Sequence, residues 1–154
     1  MRLELISPGK TKEGYLRAGI EDFAGRISHY AKIDMKAVKE IKGPHESDRA
    51  REKEGKLLLE SCSKGAFLVA LDPAGSRLSS EKFAELVGDW ENQGRQVVSF
   101  IIGGPEGLAA AVVNRADLVL SLSPMTFTHE MARLLLLEQL YRAYTIKAGT
   151  KYHK

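Results

Sequence analysis

The chain has one cysteine, Cys62, which excludes an internal disulfide and any zinc site built from several thiolates. Cys62 itself reads as an inert helix residue. No apolar run approaches the roughly 20 residues that span a bilayer, so no membrane segment is expected. The start, Met1 to Ile6, goes straight into a strand-like pattern. It has neither the apolar core nor the cleavage region of a signal peptide, so the expected location is the cytoplasm. The histidines His29, His45, His129 and His153 show no metal-type spacing with carboxylates or with Cys62, and no metal is expected. No G-x-S-x-G element is present, and no glycine run has the spacing of G-x-G-x-x-G or the Lys-Ser/Thr of a P-loop. Hydrolase, metalloenzyme, dinucleotide and triphosphate chemistries are therefore unsupported.

What remains is ordinary in bulk. At 154 residues, with 44% hydrophobic and 28% charged residues, the chain fits one domain with a substantial core. A net charge of +3 permits a polyanionic partner without demanding one. Its distribution says more: Arg142, Lys147, Lys151, His153 and Lys154 close the chain without an acidic side chain among them. Such a tail is either a solvated end or a contact for phosphates.

The organising stretch is Val97 to Gly107, an apolar run that ends in three glycines and a proline. It is too short for a helix and rich in β-branched residues, hence a strand covered on both faces. Gly103 and Gly104 are expected to take positive φ and let a ligand approach the backbone; a plain tight turn is the alternative. Around this stretch the periodicities alternate. Arg2 to Ser7 reads as a strand, Tyr15 to Tyr30 as a helix with Leu16, Ile20, Phe23 and Ile27 on one face, and Ile33 to Ile41 as a strand. Residues 42–47 read as a loop. Asp48 to Cys62 is a helix whose charged first turns face either water or RNA phosphates. Ala66 to Leu71 is a buried strand closed by Asp72-Pro73-Ala74-Gly75. Ser79 or Ser80 caps a helix carrying Phe83, Leu86, Val87 and Trp90, with Trp90 read as core. Leu108 to Asn114 is a short helix and Leu118 to Leu122 the last strand. A final helix from His129 to Tyr144 is apolar over more than half its circumference, which suggests a dimer element or a central helix of a monomer.

Strands alternating with helices give an α/β fold with a largely parallel sheet. Three strand ends carry unusual loops: at Leu71-Asp72-Pro73, at Gly103 to Gly107, and at Leu122 to Phe127. A site made of backbone at three strand ends suits a neutral or cationic ligand, such as a purine with a sulfonium tail.

Four motifs then carry a resemblance: Ile102-Gly103-Gly104-Pro105-Glu106-Gly107; Leu120 to Phe127; His129 with Glu138 and Leu140-Tyr141-Arg142-Ala143; and the closing Tyr152-His153-Lys154. In order and spacing they resemble the large-subunit ribosomal RNA pseudouridine N3-methyltransferases of the SPOUT superfamily, over the whole chain. The resemblance implies one SPOUT domain over residues 1–154, a parallel sheet flanked by helices with its terminal segment threaded into a trefoil knot, and a homodimer. It implies S-adenosyl-L-methionine as cofactor and 23S ribosomal RNA as substrate, at the helix 69 loop, within the large subunit or the assembled 70S ribosome. Carried over by position, the cofactor contacts fall on Leu71, Gly103, Leu122, Ser123, Pro124, Met125, Thr126 and Phe127.

Methyl transfer to a ring nitrogen is an in-line displacement, and the imide must lose its proton. Arg142, for a phosphate or base oxygen, and His153, for orientation or proton handling, are the catalytic candidates; both also fit structural roles. Tyr152 is expected to stack on a flipped base. Two rivals stand beside this reading: a non-catalytic RNA- or ribosome-binding dimer, and a transfer-RNA methyltransferase.

Overall fold

The computed structural model describes residues 1–41 and 48–154; the loop expected at 42–47 lies outside the described residues. In chain order the elements are β1 (Arg2–Pro8), α1 (Gly14–Ile27), β2 (Ile33–Val38), α2 (Asp48–Ser61), β3 (Phe67–Arg77), α3 (Ser80–Asn92), β4 (Val97–Ile101), α4 (Ala110–Arg115), β5 (Leu118–Ser121) and α5 (His129–Lys147). The sheet order is β2-β1-β4-β3-β5 and every pairing is parallel. The expected α/β class with a parallel sheet flanked by helices is what forms.

Each face of the sheet has its own core. On one face, Leu3, Leu5, Val69, Val98 and Phe100 meet Ile20 and Ile27 of α1, Val87 and Trp90 of α3, and Leu136, Leu137 and Leu140 of α5. On the other, Ile6, Ala70 and Ile101 meet Leu58 of α2 and Val112 of α4. Trp90 is core, packed against Phe67, Phe83 and Phe100. The two-residue period of the strands divides the apolar side chains between these layers. Ser79 caps α3 by accepting the Lys82 N–H at 3.2 Å, and Thr128 caps α5 by accepting the Met131 N–H at 3.2 Å.

Several boundaries differ from expectation; α1, for one, ends at Ile27 and not at Tyr30. β2 ends at Val38 and not at Ile41. α5 runs on to Lys147, and Leu137 is wholly buried within the chain's own core, because α1 and α3 cover the face that seemed to need a partner. The largest difference is in β3, which does not stop at Asp72. Both Leu71 and Ser76 pair with Leu120 of β5, so residues 72–75 form an outward excursion and the strand then resumes. Asp72 Oδ1 accepts the Ala74 N–H at 2.8 Å, and a Cβ on Gly75 would lie 2.7 Å from the Val119 backbone. Asx-turn chemistry opens the excursion, and close backbone approach closes it.

β1 lies between β2 and β4, covered on both faces, so the alternating polar residue Glu4 is buried and fully inaccessible. Its carboxylate accepts from Lys36 Nζ at 2.7 Å, Ser99 Oγ at 2.6 Å, Ser63 Oγ at 2.5 Å and the Ser63 N–H at 3.1 Å. Burial alone would raise its pKa, but these donors outweigh burial and bring it from 4.5 down to about 2. A depressed carboxyl pKa stabilises the fold above the unfolded value of 4.5, and that contribution is lost as pH falls through about 2. Glu4→Gln is expected to cost about 2–3 kcal/mol at neutral pH, roughly 5–10 °C in Tm. In thermal melts the gap to the parent should narrow as pH falls from 4.5 toward 2; a gap independent of pH would contradict this role.

Candidate functional site

Because β3, β4 and β5 are parallel neighbours, their carboxyl ends open on one edge of the sheet. There they form a cleft of about 790 Å³. Its walls include Leu71 to Pro73 at the excursion within β3, Ile102 to Pro105 and Gly107 after β4, and Leu122, Ser123 and Met125 to Thr128 after β5. Of the expected cofactor residues, Leu71, Gly103, Leu122, Ser123, Met125, Thr126 and Phe127 line it; Pro124 does not. Met125 is 75% exposed and Phe127 38%, apolar side chains left at the mouth of the cleft. Ser123 Oγ accepts the Met125 N–H at 3.0 Å, which folds this segment into a turn.

The Gly103–Gly107 turn works differently from expectation. Neither Gly103 nor Gly104 has positive φ; Gly107 does, at 78°. Gly107 N–H donates to Gly104 O at 3.0 Å, closing the turn on itself. A Cβ on Gly103 would lie 2.8 Å from Gly107 C and O and 3.0 Å from Leu108 N. Gly103 is therefore small because the turn's own backbone fills its side-chain space, not because a ligand needs that space.

Sequence reasoning missed the wall contributed by α1 and the first turn of α5: Glu13, Tyr15, Leu16, His129, Glu130 and Ala132. Tyr15 is 70% exposed and stands outside the Leu16/Ile20/Phe23/Ile27 stripe, which was the available signal. Burial lowers the pKa of His129, with the nearby Arg133 charge acting in the same direction. Arg133 is itself buried. It donates to Thr11 Oγ1 at 2.9 Å and to Pro8 O at 2.5 Å, tying the start of α5 to the β1–α1 connection. Desolvation lowers its pKa.

Arg142 and His153 are brought together, but not at this cleft. Arg142 Nη1 lies 3.2 Å from His153 Nδ1, and Arg142 also pairs with Glu138. Arg142 is thirteen positions beyond His129, roughly 20 Å along the helix axis. His153 Nε2 sits 2.9 Å from Glu81 Oε1 at the start of α3. A guanidinium only donates, so His153 Nδ1 accepts from Arg142 and Nε2–H donates to Glu81. Tyr152 is folded in too, its hydroxyl donating to Glu138 at 3.0 Å and its ring edge-on to Tyr141 at 4.7 Å. In the single chain the tail is an ordered network, and the Tyr152 ring carries the Arg142 guanidinium at 4.9 Å. Burial, then the Glu138 hydrogen bond, raises the Tyr152 pKa.

The charged first turns of α2 are not wholly solvated, since Glu54 Oε1 accepts the Gly104 N–H at 3.1 Å. Cys62 lies one residue past the end of α2 and not within it; its thiol donates to Leu58 O at 3.4 Å, and burial pushes its pKa up to about 11. Among the described residues no group of three or more His, Cys, Asp or Glu could hold a metal ion, and no helix is long and apolar enough to cross a membrane.

The comparisons with known proteins agree with this geometry. Residues 1–153 match the model of a family described as predicted SPOUT methyltransferase. A curated protein of Desulfotalea psychrophila named ribosomal RNA large subunit methyltransferase H is 51% identical over 154 residues, covering all of both chains. One of the same name from Clostridium kluyveri is 39% identical over 159 residues, again covering both chains completely. A solved methylase-family protein of Haemophilus influenzae Rd KW20 is similar in fold, with a TM-score of 0.56 at 13% identity over 99% of this chain and 70% of that one. A sheet with its cleft at three adjacent strand ends and a family match over nearly every residue lead to one conclusion: the chain belongs to the SPOUT methyltransferase family.

Proposed function

We propose that the protein transfers a methyl group from S-adenosyl-L-methionine to large-subunit ribosomal RNA, at N3 of a pseudouridine in the helix 69 loop. The observation that carries this reading is the full-length, 51% identity to a ribosomal RNA large subunit methyltransferase H. The cleft supports the cofactor. Leu71, Leu122 and Met125 offer apolar walls for an adenine, and the turns after β4 and β5 offer main-chain groups for its edge. When bound, the cofactor supplies an electrophilic methyl group on a sulfonium. The chain's task is to hold it, exclude water and present the ring nitrogen in line.

The homodimer and the terminal knot belong to the same reading. Leu78, 40% exposed, and Phe127 flank a groove of about 260 Å³ that also includes Leu135 of α5. Apolar side chains left at the rim of such a groove suit a second copy of the chain. A dimer in which one chain's tail reaches its partner's cleft would answer the separation of Arg142, Tyr152 and His153 from their own cleft. The segment 122–128 shares a cleft with the two earlier strand-end turns, which suits a threaded terminal segment.

The deciding experiment incubates the protein with methyl-labelled cofactor and separate fractions of free ribosomal RNA, large subunits, assembled ribosomes and transfer RNA. Label is expected in large-subunit RNA; label only in transfer RNA, or none with any fraction, contradicts the reading. Gly103→Val is expected to lower cofactor affinity about 100-fold, near 3 kcal/mol, by displacing the turn. Calorimetry on the folded variant checks this, and unchanged affinity removes the turn from the site. Deleting Tyr152 to Lys154 should leave cofactor affinity unchanged while ribosome methylation falls by orders of magnitude. A full methylation rate would leave the tail a structural element with no part in the reaction. Light scattering should give a dimer at micromolar concentration, and Leu135→Glu a monomer that still folds, because the charge is placed on a half-buried position outside the main core. A parent protein that scatters as a monomer contradicts the shared site.

A further inference from the structure

A second cleft of about 530 Å³, beside Glu54, lies across the Gly103–Gly107 turn from the first. The turn's backbone stands between the two, so a base in line with a methyl group held in the first cleft must enter that same cleft. Charge narrows the form in which it enters. The carboxylates in the lining are Glu13, Asp72 and Glu130, and no lysine or arginine stands among the described residues that line it. Burial and the Arg133 charge hold His129 below its ordinary pKa, so it adds no positive charge at neutral pH. Such a lining suits a cation, as the cofactor's sulfonium is, and opposes a phosphate. A nucleotide therefore offers this cleft its uncharged ring and leaves its phosphates outside.

Tyr15 is the aromatic side chain in this wall that the fold does not use. Leu16, 2% exposed, seats the first turn of α1 in the core, and Tyr15, about 100° round the helix from it, is left 70% exposed. Tyr30 packs on Tyr141 and Tyr144, and Tyr152 on Tyr141. Among the described residues the Tyr15 side chain makes no ring contact and no hydrogen bond. Its position is nonetheless fixed from α5. Arg133 donates to Thr11 Oγ1 at 2.9 Å and to Pro8 O at 2.5 Å, and Glu130 accepts the Lys12 N–H. These bonds pin the connection leading into α1 to the helix whose first residues complete the cleft wall. A flat ring on a pinned segment loses little conformational entropy when another ring stacks on it.

Resting on the function proposed above, we propose that Tyr15 is the platform on which the target pseudouridine stacks once it has left its own stack, in the cleft that holds the cofactor. A base drawn out of a hairpin loop gives up its stacking, and an aromatic face restores it. Met125, 75% exposed in the lining of the same cleft, offers the ring a further apolar contact. Tyr15 takes no proton and forms no bond; it is a positioning residue, which aligns the ring nitrogen with the methyl group.

Tyr15→Ala tests this with assembled ribosomes as substrate. Its kcat is expected to fall about 10- to 100-fold, the range set by loss of one base-aromatic stack. A ribosome is held through many phosphate contacts, so KM for ribosomes should stay within about threefold of the parent value. Tyr15→Phe and Tyr15→Trp, which keep an aromatic face, should restore most of the rate. Affinities for S-adenosylmethionine and S-adenosylhomocysteine should be unchanged, light scattering should match the parent, and Tm should stay within about 3 °C, as for an exposed side chain. A parent-like kcat in Tyr15→Ala, a Trp variant as slow as the Ala variant, or an effect confined to KM overturns the assignment. So does weaker binding of either cofactor form, which would place the ring on the cofactor. Loss of the parent's oligomeric state would give it to a second copy of the chain, and a larger fall in Tm to the fold; either overturns the assignment as well. A parent protein that methylates no large-subunit RNA overturns the proposed function instead, whatever the variants do.

Discussion

The site depends on a single backbone closure, the Gly107 N–H to Gly104 O hydrogen bond that folds the β4–α4 connection onto itself. It forces positive φ at Gly107 and packs the turn so tightly that Gly103 has no room for a Cβ. The turn is anchored from both sides: Ile102 N–H donates to Ile6 O at 3.0 Å, and Gly104 N–H to Glu54 at 3.1 Å. A strand buried in the middle of the sheet thus ends in a rigid partition with a cleft on either face. Rigidity matters because aligning a methyl group with its acceptor atom tolerates little displacement.

Two carboxylates show how environment divides labour. Glu4 and Glu54 are both withdrawn from water, yet their pKa values move in opposite directions. Glu4 has four close donors, one of them an ammonium, and burial is outweighed; it is committed to the fold and unavailable for chemistry. Glu54 has one backbone donor, and burial prevails. The difference is the number and charge of the donors, not depth.

Much of this was legible in the residues. Apolar periodicity located every helix and strand, and the turn chemistry after β4 and β5 marked the strand ends that form the cleft. Long-range placement was not legible. The return of Ser76 and Arg77 to β5 is main-chain pairing without a side-chain pattern, so β3 read as ending at Leu71. The burial of Glu4 was not legible either, because alternation over Arg2 to Ser7 cannot tell an edge strand from a central one. The wide apolar circumference of the final helix left a dimer element and a central helix both open, because coverage by both α1 and α3 is a tertiary fact. Glu54 meets Gly104 across fifty positions, and Tyr15 reaches the cleft only through the packing of α1. Seven of the eight positions that the likeness assigns to a cofactor line the cleft, while Arg142 and His153 lie in a separate network on the same chain.

The most direct measurement is a crystal structure of the protein with S-adenosylhomocysteine. The expected result is the adenine seated between Leu71 and the Leu122–Phe127 segment, with its edge against main-chain groups and its sulfur facing the Gly103–Gly107 turn. Density for the ligand in the Glu54 cleft or away from both clefts, or an open sheet edge in a crystal of protein shown to bind it in solution, would contradict the account.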